Sequence, residues 1–347
     1  MLYVSTRSTQ DAFTAYRTMH QDRTPDGGFF VPMRMPTPEQ LDLQSLGRRS
    51  FGQTVADILN LFFGTKLSAW DVEVAIGKRV VNIRSVGHRT LIGELWHNID
   101  GSFDRVINSL ACRIHPDGDC IGKPTDWLEI AIRIAVLFGI FGELQGSGEL
   151  KPGKVLDVAV SSGSFASAMA LWYGREMGLP IGQIICGCNE NGAVWDLLHK
   201  GALDTDAIAV KTNTPEGDYA VPPDLERLIC GTLGQEEALH YWWCCTEGSI
   251  YSPPELRMNE LREGMFAAVV SRSRIETIIP SVYRTNAYIL EPYSALAYGA
   301  LSDYRSRTGS FNTALVLTEK SPLRSASEVS DYLRISTDEL KRLMTAN

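Results

Sequence analysis

Residues 154–201 read KVLDVAVSSGSFASAMALWYGREMGLPIGQIICGCNENGAVWDLLHKG. Lys154 to Val160 is apolar and β-branched, as a parallel strand buried on both faces requires. Ser161-Ser162-Gly163-Ser164 makes a tight turn. Phe165 to Met177 is apolar around most of its circumference and ends at Gly178, with Pro180 beyond, which is the punctuation of a helix C-terminus. Ile181 to Cys188 gives a second strand, and Ala193 to Lys200 a second helix stopped by Gly201. Strand and helix alternating through short connections predict a right-handed parallel β-α-β-α unit, and therefore an α/β fold. A similar unit closes the chain. Thr313 to Thr318 reads as a strand, and Ser325-x-x-Glu328 and Ser336-x-x-Glu339 are capping boxes, each opening a helix.

Upstream of this unit, Leu2 to Thr6 reads as a strand and Thr9 to His20 as an amphipathic helix. Pro25-Asp26-Gly27-Gly28 is a turn, because Asp and Gly tolerate the dihedrals it needs. Phe29 to Pro32 is short and extended, and residues 38–76 read as helical with a break at Gly64. Over 347 residues, 44% are hydrophobic and 21% charged, which is ordinary globular composition. The formal charge of −8 argues against a nucleic-acid partner and against adhesion to anionic membranes. The longest apolar run, Ile130 to Gly142, is interrupted by Arg133 and is too short to span a bilayer, so it reads as a buried helix. Met1 to Arg7 lacks the pattern of a signal peptide. With seven scattered cysteines, the expected setting is reducing and cytoplasmic. Cys186, Cys188, Cys244 and Cys245 lack zinc-knuckle spacing and the six histidines are dispersed, so no metal site is expected.

The turn at 161–164 has a chemical reading as well as a structural one. A strand that ends in Ser-Gly before a helix leaves backbone N–H groups aimed at one spot, and the helix dipole favours an anion there. A turn glycine with serine N-caps would produce the same letters.

Many ordered segments resemble threonine synthases, a fold type II family of pyridoxal-phosphate enzymes. Tyr3-Val4-Ser5-Thr6-Arg7 and Pro25-Asp26-Gly27-Gly28-Phe29-Phe30-Val31-Pro32 are similar to the family's Y-x-S-T-R and P-D-G-G-L-Y-V-P. Ile99-Asp100-Gly101-Ser102-Phe103-Asp104 resembles V-x-G-T-F-D-D, and Thr125-Asp126-Trp127 resembles I-N-W. Ser161 to Ser167 resembles P-T-G-N-F-G-D. Met177 to Ile181 and Asn189-Glu190-Asn191 match M-G-L-P-I and N-E-N. Leu225 to Leu228 resembles F-E-R-L, Glu291 to Ala295 resembles D-P-H-T-A, and Leu317 to Pro322 resembles L-S-T-A-H-P. The resemblance implies a three-layer parallel sheet of the tryptophan-synthase-β and threonine-synthase type. It also implies that Ser162, Gly163, Ser164 and Phe165 cradle the phosphate of pyridoxal phosphate, and that Thr318 or Glu319 meets its ring nitrogen. Without the family, Glu319 and Lys320 read as solvated charges at a strand end.

Two departures bear on activity. Leu61 to Val72 resembles the family's lysine loop, F-H-G-P-T-L-A-F-K-D-V. In that setting Trp70 takes the place of the Schiff-base lysine, and an indole cannot form an imine. Lys66, one helical turn away, is the candidate for a relocated imine. The family's long segment between the lysine loop and G-T-F-D, with its T-S-G-D-T-G substrate loop, has only Ile76 to Asn98 in its place. The small cofactor-side domain is therefore expected to be largely deleted. The expected organisation is an N-terminal unit at 1–76, a short replacement at 77–98 and a large α/β domain at 99–347. Two functions follow from these readings. The first is a degenerate, non-catalytic protein that binds a small anionic metabolite or a protein partner. The second is a pyridoxal-dependent lyase with a rebuilt site, in the manner of a family that converts O-phosphohomoserine to threonine and phosphate. Tyr241-Trp242-Trp243 is an aromatic cluster that suits either a core or a docking surface.

Overall fold

The computed structural model describes residues 1–77, 81–96, 101–115 and 123–346. The strands are β1 (Leu2–Ser5), β2 (Phe13–Thr14), β3 (Phe30–Pro32), β4 (Asn82–Ser85), β5 (Thr90–Glu94), β6 (Leu156–Ser161), β7 (Ile181–Cys188), β8 (Leu203–Asp204), β9 (Ile250–Tyr251), β10 (Met265–Val269) and β11 (Ala314–Thr318). The helices of the first half are α1 (Ala15–His20), α2 (Pro38–Leu41), α3 (Phe51–Phe63), α4 (Ala69–Ile76), α5 (Phe103–Ile114), α6 (Asp126–Gly146) and α7 (Ala166–Glu176). Those of the second half are α8 (Ala193–Trp195), α9 (Leu225–Leu233), α10 (Gln235–Glu247), α11 (Met258–Arg262), α12 (Arg272–Asn286), α13 (Pro292–Thr308), α14 (Ala326–Leu333) and α15 (Thr337–Ala346).

Six strands form the main sheet in the order β10-β7-β6-β11-β5-β4. All neighbours run parallel except β4, which pairs antiparallel with β5. From β6 the chain crosses through α7 to β7 on one side, while β11 and β5 lie on the other. The connection therefore reverses direction between β6 and β11. In open α/β sheets that switch point opens a crevice at the carboxyl ends of the strands. Here those ends are Ser161 and Thr318.

Both faces of the sheet are covered, which is why β6 and β11 carry no exposed residue. Helix α13 lies across β6, β7, β10 and β11, and α7 packs on β6 and β7 from the opposite side. Helix α6 packs behind α7 and in turn supports α3. The N-terminal sheet, β2-β1-β3, is pinned to this body by rings and charges. Trp127 is fully buried, with Tyr3, Phe62 and Tyr173 edge-on around it at centroid distances of 5.4, 5.7 and 5.6 Å. Arg7 forms two hydrogen bonds to Glu226, at 3.0 and 2.9 Å.

The β-α-β part of the reading holds to within a residue or two at 156–188, while the helix expected over Ala193 to Lys200 is α-helical only to Trp195 and continues as a π-helix over Asp196–Lys200. Three further expectations differ. The first helix begins at Ala15, because Phe13 and Thr14 are taken into the sheet as β2. Ser336 caps its helix as expected, accepting from Glu339 N at 3.1 Å, but the Ser325 side chain does not cap. Residues 77–98, expected as a stub replacing a domain, carry β4 and β5, and β5 lies inside the main sheet beside β11. The hydrogen-bonding edge of β11 supplies the reason: left bare, it would expose a buried row of backbone groups. Residues 97–100, which include part of the motif beginning at Ile99, lie outside the described residues.

Among the described residues, five cysteines are free thiols and Cys112 is disulfide-bonded. Burial pushes the Cys188 thiol up to about 11, which keeps it in the thiol form at neutral pH. Among the described residues there is no metal-binding cluster, and no helix is long and apolar enough to cross a membrane.

Candidate active-site cleft

The cleft has a base and a mouth, built from different segments. At the base stands Arg133, in the middle of α6 and almost fully buried. A lone guanidinium inside an apolar helix must find anions. It finds two. Nε and Nη2 donate to Glu129 Oε1 at 3.1 and 2.9 Å, and Nη1 donates to Glu319 Oε1 at 2.9 Å. Ser167, on the first turn of α7, donates to the same oxygen of Glu319 and accepts from Arg133 Nη1 at 2.7 Å. The Phe103 ring lies under the guanidinium, with its centroid 5.0 Å away. Burial by itself would lower the Arg133 pKa, but Glu319 and Glu129 hold it above its ordinary value. The space left here, between Leu95, Phe103, Arg133 and Leu317, is about 10 Å³, at most enough for one water.

The mouth forms where β6 turns into α7. Phe165 N donates to Ser162 O at 2.7 Å and closes the turn. Phe165 itself takes φ 77°, an uncommon left-handed conformation for an aromatic residue, and is fully buried. Among the described residues, the amides of Gly163 and Ser164 have no acceptor. Gly163 has φ 46°, and the Tyr293 hydroxyl lies so close that a Cβ at 163 would overlap it. Tyr293 is 8% exposed, and its hydroxyl has no hydrogen-bond partner among the described residues. Its backbone is fixed. The carbonyl accepts from Ser161 Oγ, and its N–H donates to Glu291 Oε2 at 2.8 Å. Glu291 is the N-cap of α13 and also accepts from Ser294 N. Burial pushes its carboxyl up to about 7, against the opposing pull of the Ser294 hydroxyl and the two amides.

Across the mouth, Lys320 pairs with Glu216. Glu216 sits on the 212–218 loop, which Asn189 anchors. The Asn189 amide donates to Asp218 Oδ1 at 2.8 Å and to Thr212 Oγ1 at 3.0 Å. Asn189 begins the N-E-N motif, so one role of that motif in this chain is to hold this loop.

The structure therefore brings Ser162, Gly163, Ser164, Phe165, Thr318 and Glu319 to one end of the sheet. Thr318 is buried and its hydroxyl turns to Gly93 O at 3.4 Å. Trp70 and Lys66 are elsewhere. Trp70 is 66% exposed on α4, which packs on α3 and α5. Lys66 is exposed in the α3–α4 connection. Neither takes part in the contacts around Gly163 and Glu319. In the aromatic cluster, Tyr241 is core, Trp242 lies under Arg7, and Trp243 is 53% exposed. The sequence reading missed Arg133, Ser167, Glu216 and Tyr293. The one available signal was Arg133 itself, an unexplained charge in the longest apolar run.

Pyridoxal phosphate is a poor match for these groups. Glu319, one of the two residues to which the resemblance gives the ring nitrogen, already shares its Oε1 between Arg133 and Ser167. Tyr293 covers Gly163, the residue whose bare backbone would approach the phosphate. The lysine in the mouth is Lys320, and it is held by Glu216.

Comparison with known proteins places this geometry. Residues 2–79 match the family model described as threonine synthase N terminus. Threonine synthase-like 1 of Macaca fascicularis is 24% identical over 184 residues, which are 50% of this chain and 24% of that protein. Threonine synthase of Pseudomonas aeruginosa is 24% identical over 240 residues, 65% of this chain and 49% of that one. The chain thus spans between about a quarter and a half of these curated relatives' lengths. PLP-bound threonine synthase from Brucella melitensis superposes with a TM-score of 0.85 at 17% identity, over 99% of this chain and 94% of that one. Threonine synthase from yeast does so with 0.82 at 17% identity, over 99% and 94%. N-terminal family model, curated relatives and solved neighbours agree: residues 2–79 match the threonine synthase N terminus, and the chain has the fold of solved threonine synthases.

Proposed function

We propose that this protein does not run the replacement reaction of threonine synthases and acts by binding a small anionic metabolite at the head of α7. The observation that carries this reading is the inverted state of the two halves of the cleft. The carboxylate at the base is neutralised by the chain's own guanidinium. The mouth keeps two free amides, an unpartnered Tyr293 hydroxyl and the Lys320 ammonium. Free N–H groups at a helix start, a phenol and a cation together suit an oxyanion. The T-S-G-D-T-G substrate loop is absent from the sequence, which also weighs against turnover.

Calorimetric titration with inorganic phosphate tests the binding half. Lys320→Met is expected to weaken binding about tenfold or more, the worth of one charge-assisted hydrogen bond, while Lys66→Met leaves it unchanged. Absence of any phosphate binding in the unaltered protein would refute the site. Conversion of O-phosphohomoserine in the presence of pyridoxal phosphate would refute the non-catalytic half.

One observation favours the second reading, a pyridoxal-dependent lyase with a rebuilt site: a lysine does stand at the strand ends. It is Lys320, not Lys66. Borohydride reduction with pyridoxal phosphate, followed by peptide mapping, separates the two readings. A pyridoxyl group on Lys320 that disappears in Lys320→Met would support the lyase, and its absence supports the binding protein.

A further inference from the structure

A second recess, lined by none of the cleft residues, lies where the N-terminal sheet meets α7 and α9. Its volume is about 370 Å³, within the range of small-molecule sites. Its walls are Val31 and Met33 from the β3 end, Met35, Trp172 from α7, Cys230 from α9 and Gln235 at the start of α10. None of its lining residues is charged, although 21% of the chain is. Trp172 stands edge-on to Tyr173, with ring centroids 5.1 Å apart. The tip of its indole lies against Gly231, where a Cβ would approach it to 2.6 Å, so the missing side chain at 231 lets the ring lie back and keeps the recess open. Met33 is 52% exposed at the rim.

We propose that this recess is a binding site for a small, uncharged aromatic molecule that carries one hydrogen-bond donor. A lining without charge offers no return on the desolvation of an ion. Two thioethers and an indole favour a ring, because sulfur packs against aromatic edges. Gln235 supplies the polar selection. Its Nε2 donates to Ser5 O at 2.7 Å, which orients the amide and leaves Oε1 as the acceptor for a phenol or indole N–H. The inference is independent of any activity in the cleft.

The test uses the intact chain with ¹³C-methyl methionine and titrates p-cresol, toluene and benzoate. Of the nine methionines, only Met33 and Met35 are expected to shift. The expected order is p-cresol tighter than toluene, with benzoate failing to compete. Met33→Lys places a charge at the exposed rim without touching the core and is expected to weaken p-cresol binding about tenfold. Gln235→Leu is expected to remove the preference for p-cresol over toluene. No shift at millimolar p-cresol, an equal response across all methionines, or the same affinity in Met33→Lys would each overturn the proposal.

Discussion

The base and the mouth of the cleft lie on the same strand ends, yet they differ in one respect that decides what each can do. At the base, every strong group has found its partner inside the chain: Arg133 with Glu129 and Glu319, and Ser167 with Glu319. At the mouth, the strong groups are only loosely committed. The amides of Gly163 and Ser164 await an acceptor, Tyr293 offers an unused hydroxyl, and Lys320 is held by a single carboxylate on a loop. A polar group without a partner in a partly dry site is costly, so it persists where a ligand completes it. A polar group with all its partners is structure. On the proposed reading, the contrast assigns folding to the base and recognition to the mouth.

The largest expected effect breaks the base. Arg133→Met strips Glu129 and Glu319 of the cation they share and should cost about 3–5 kcal/mol in urea unfolding. Adding Glu319→Gln should restore part of that loss, since the penalty comes from the stranded charge. A single-variant loss below about 1 kcal/mol would mean that the base is solvated and the contrast is wrong.

The next effect strikes the mouth. Gly163→Ala introduces a Cβ at a left-handed φ and against the Tyr293 hydroxyl. It should cost about 1–3 kcal/mol and abolish phosphate binding in calorimetry. Retained binding would move the anion away from this turn.

A smaller effect concerns the support beneath Tyr293. Glu291 holds its proton more tightly in the folded chain, with a pKa of about 7 against an ordinary 4.5. The folded state then binds more protons than the unfolded state between these values, so this group's contribution to stability falls as pH rises through that window and is level above it. Asp224, pushed up to about 6 chiefly by burial, adds a fall of the same sign. Urea midpoints at about pH 5 and about pH 8 should differ less in Glu291→Gln than in the parent. An unchanged difference would remove Glu291 from the account.

The smallest effect sharpens the comparison by lying outside it. Trp70→Lys restores the letter that the lysine-loop resemblance expects. It should change stability by no more than about 0.5 kcal/mol, as exposed sites do. It should also produce no aldimine absorbance with pyridoxal phosphate. An aldimine formed at residue 70 would place the cofactor site on α4 and undo the assignment of the cleft.

How much was legible beforehand varies with the range of the interaction. The turn at 161–164, the helix after it and the alternation with β7 could be read because each is set by neighbours a few residues apart. Ser162 to Phe165 and Glu319 could be brought to one end of the sheet because motif order survives divergence. Trp70 shows the limit. Local resemblance put it at the lysine's place, but only the docking of α4 on α3 and α5 shows that its ring faces solvent. The Arg133 network joins α6, α7 and the end of β11 across separations of 34 and 186 residues. No local pattern encodes such a meeting.

The sequence alone determined an α/β chain whose motifs run in the order of those of threonine synthases, with a Ser-Gly turn after β6. Hydrophobic period, turn glycines and ordered motifs are properties of short stretches, and they act before the chain is closed on itself. The tertiary structure decided which charges became structure and which stayed available. Pairing a buried guanidinium with Glu319, and leaving Lys320 to a loop carboxylate, depends on distances between segments that only the packed layers fix.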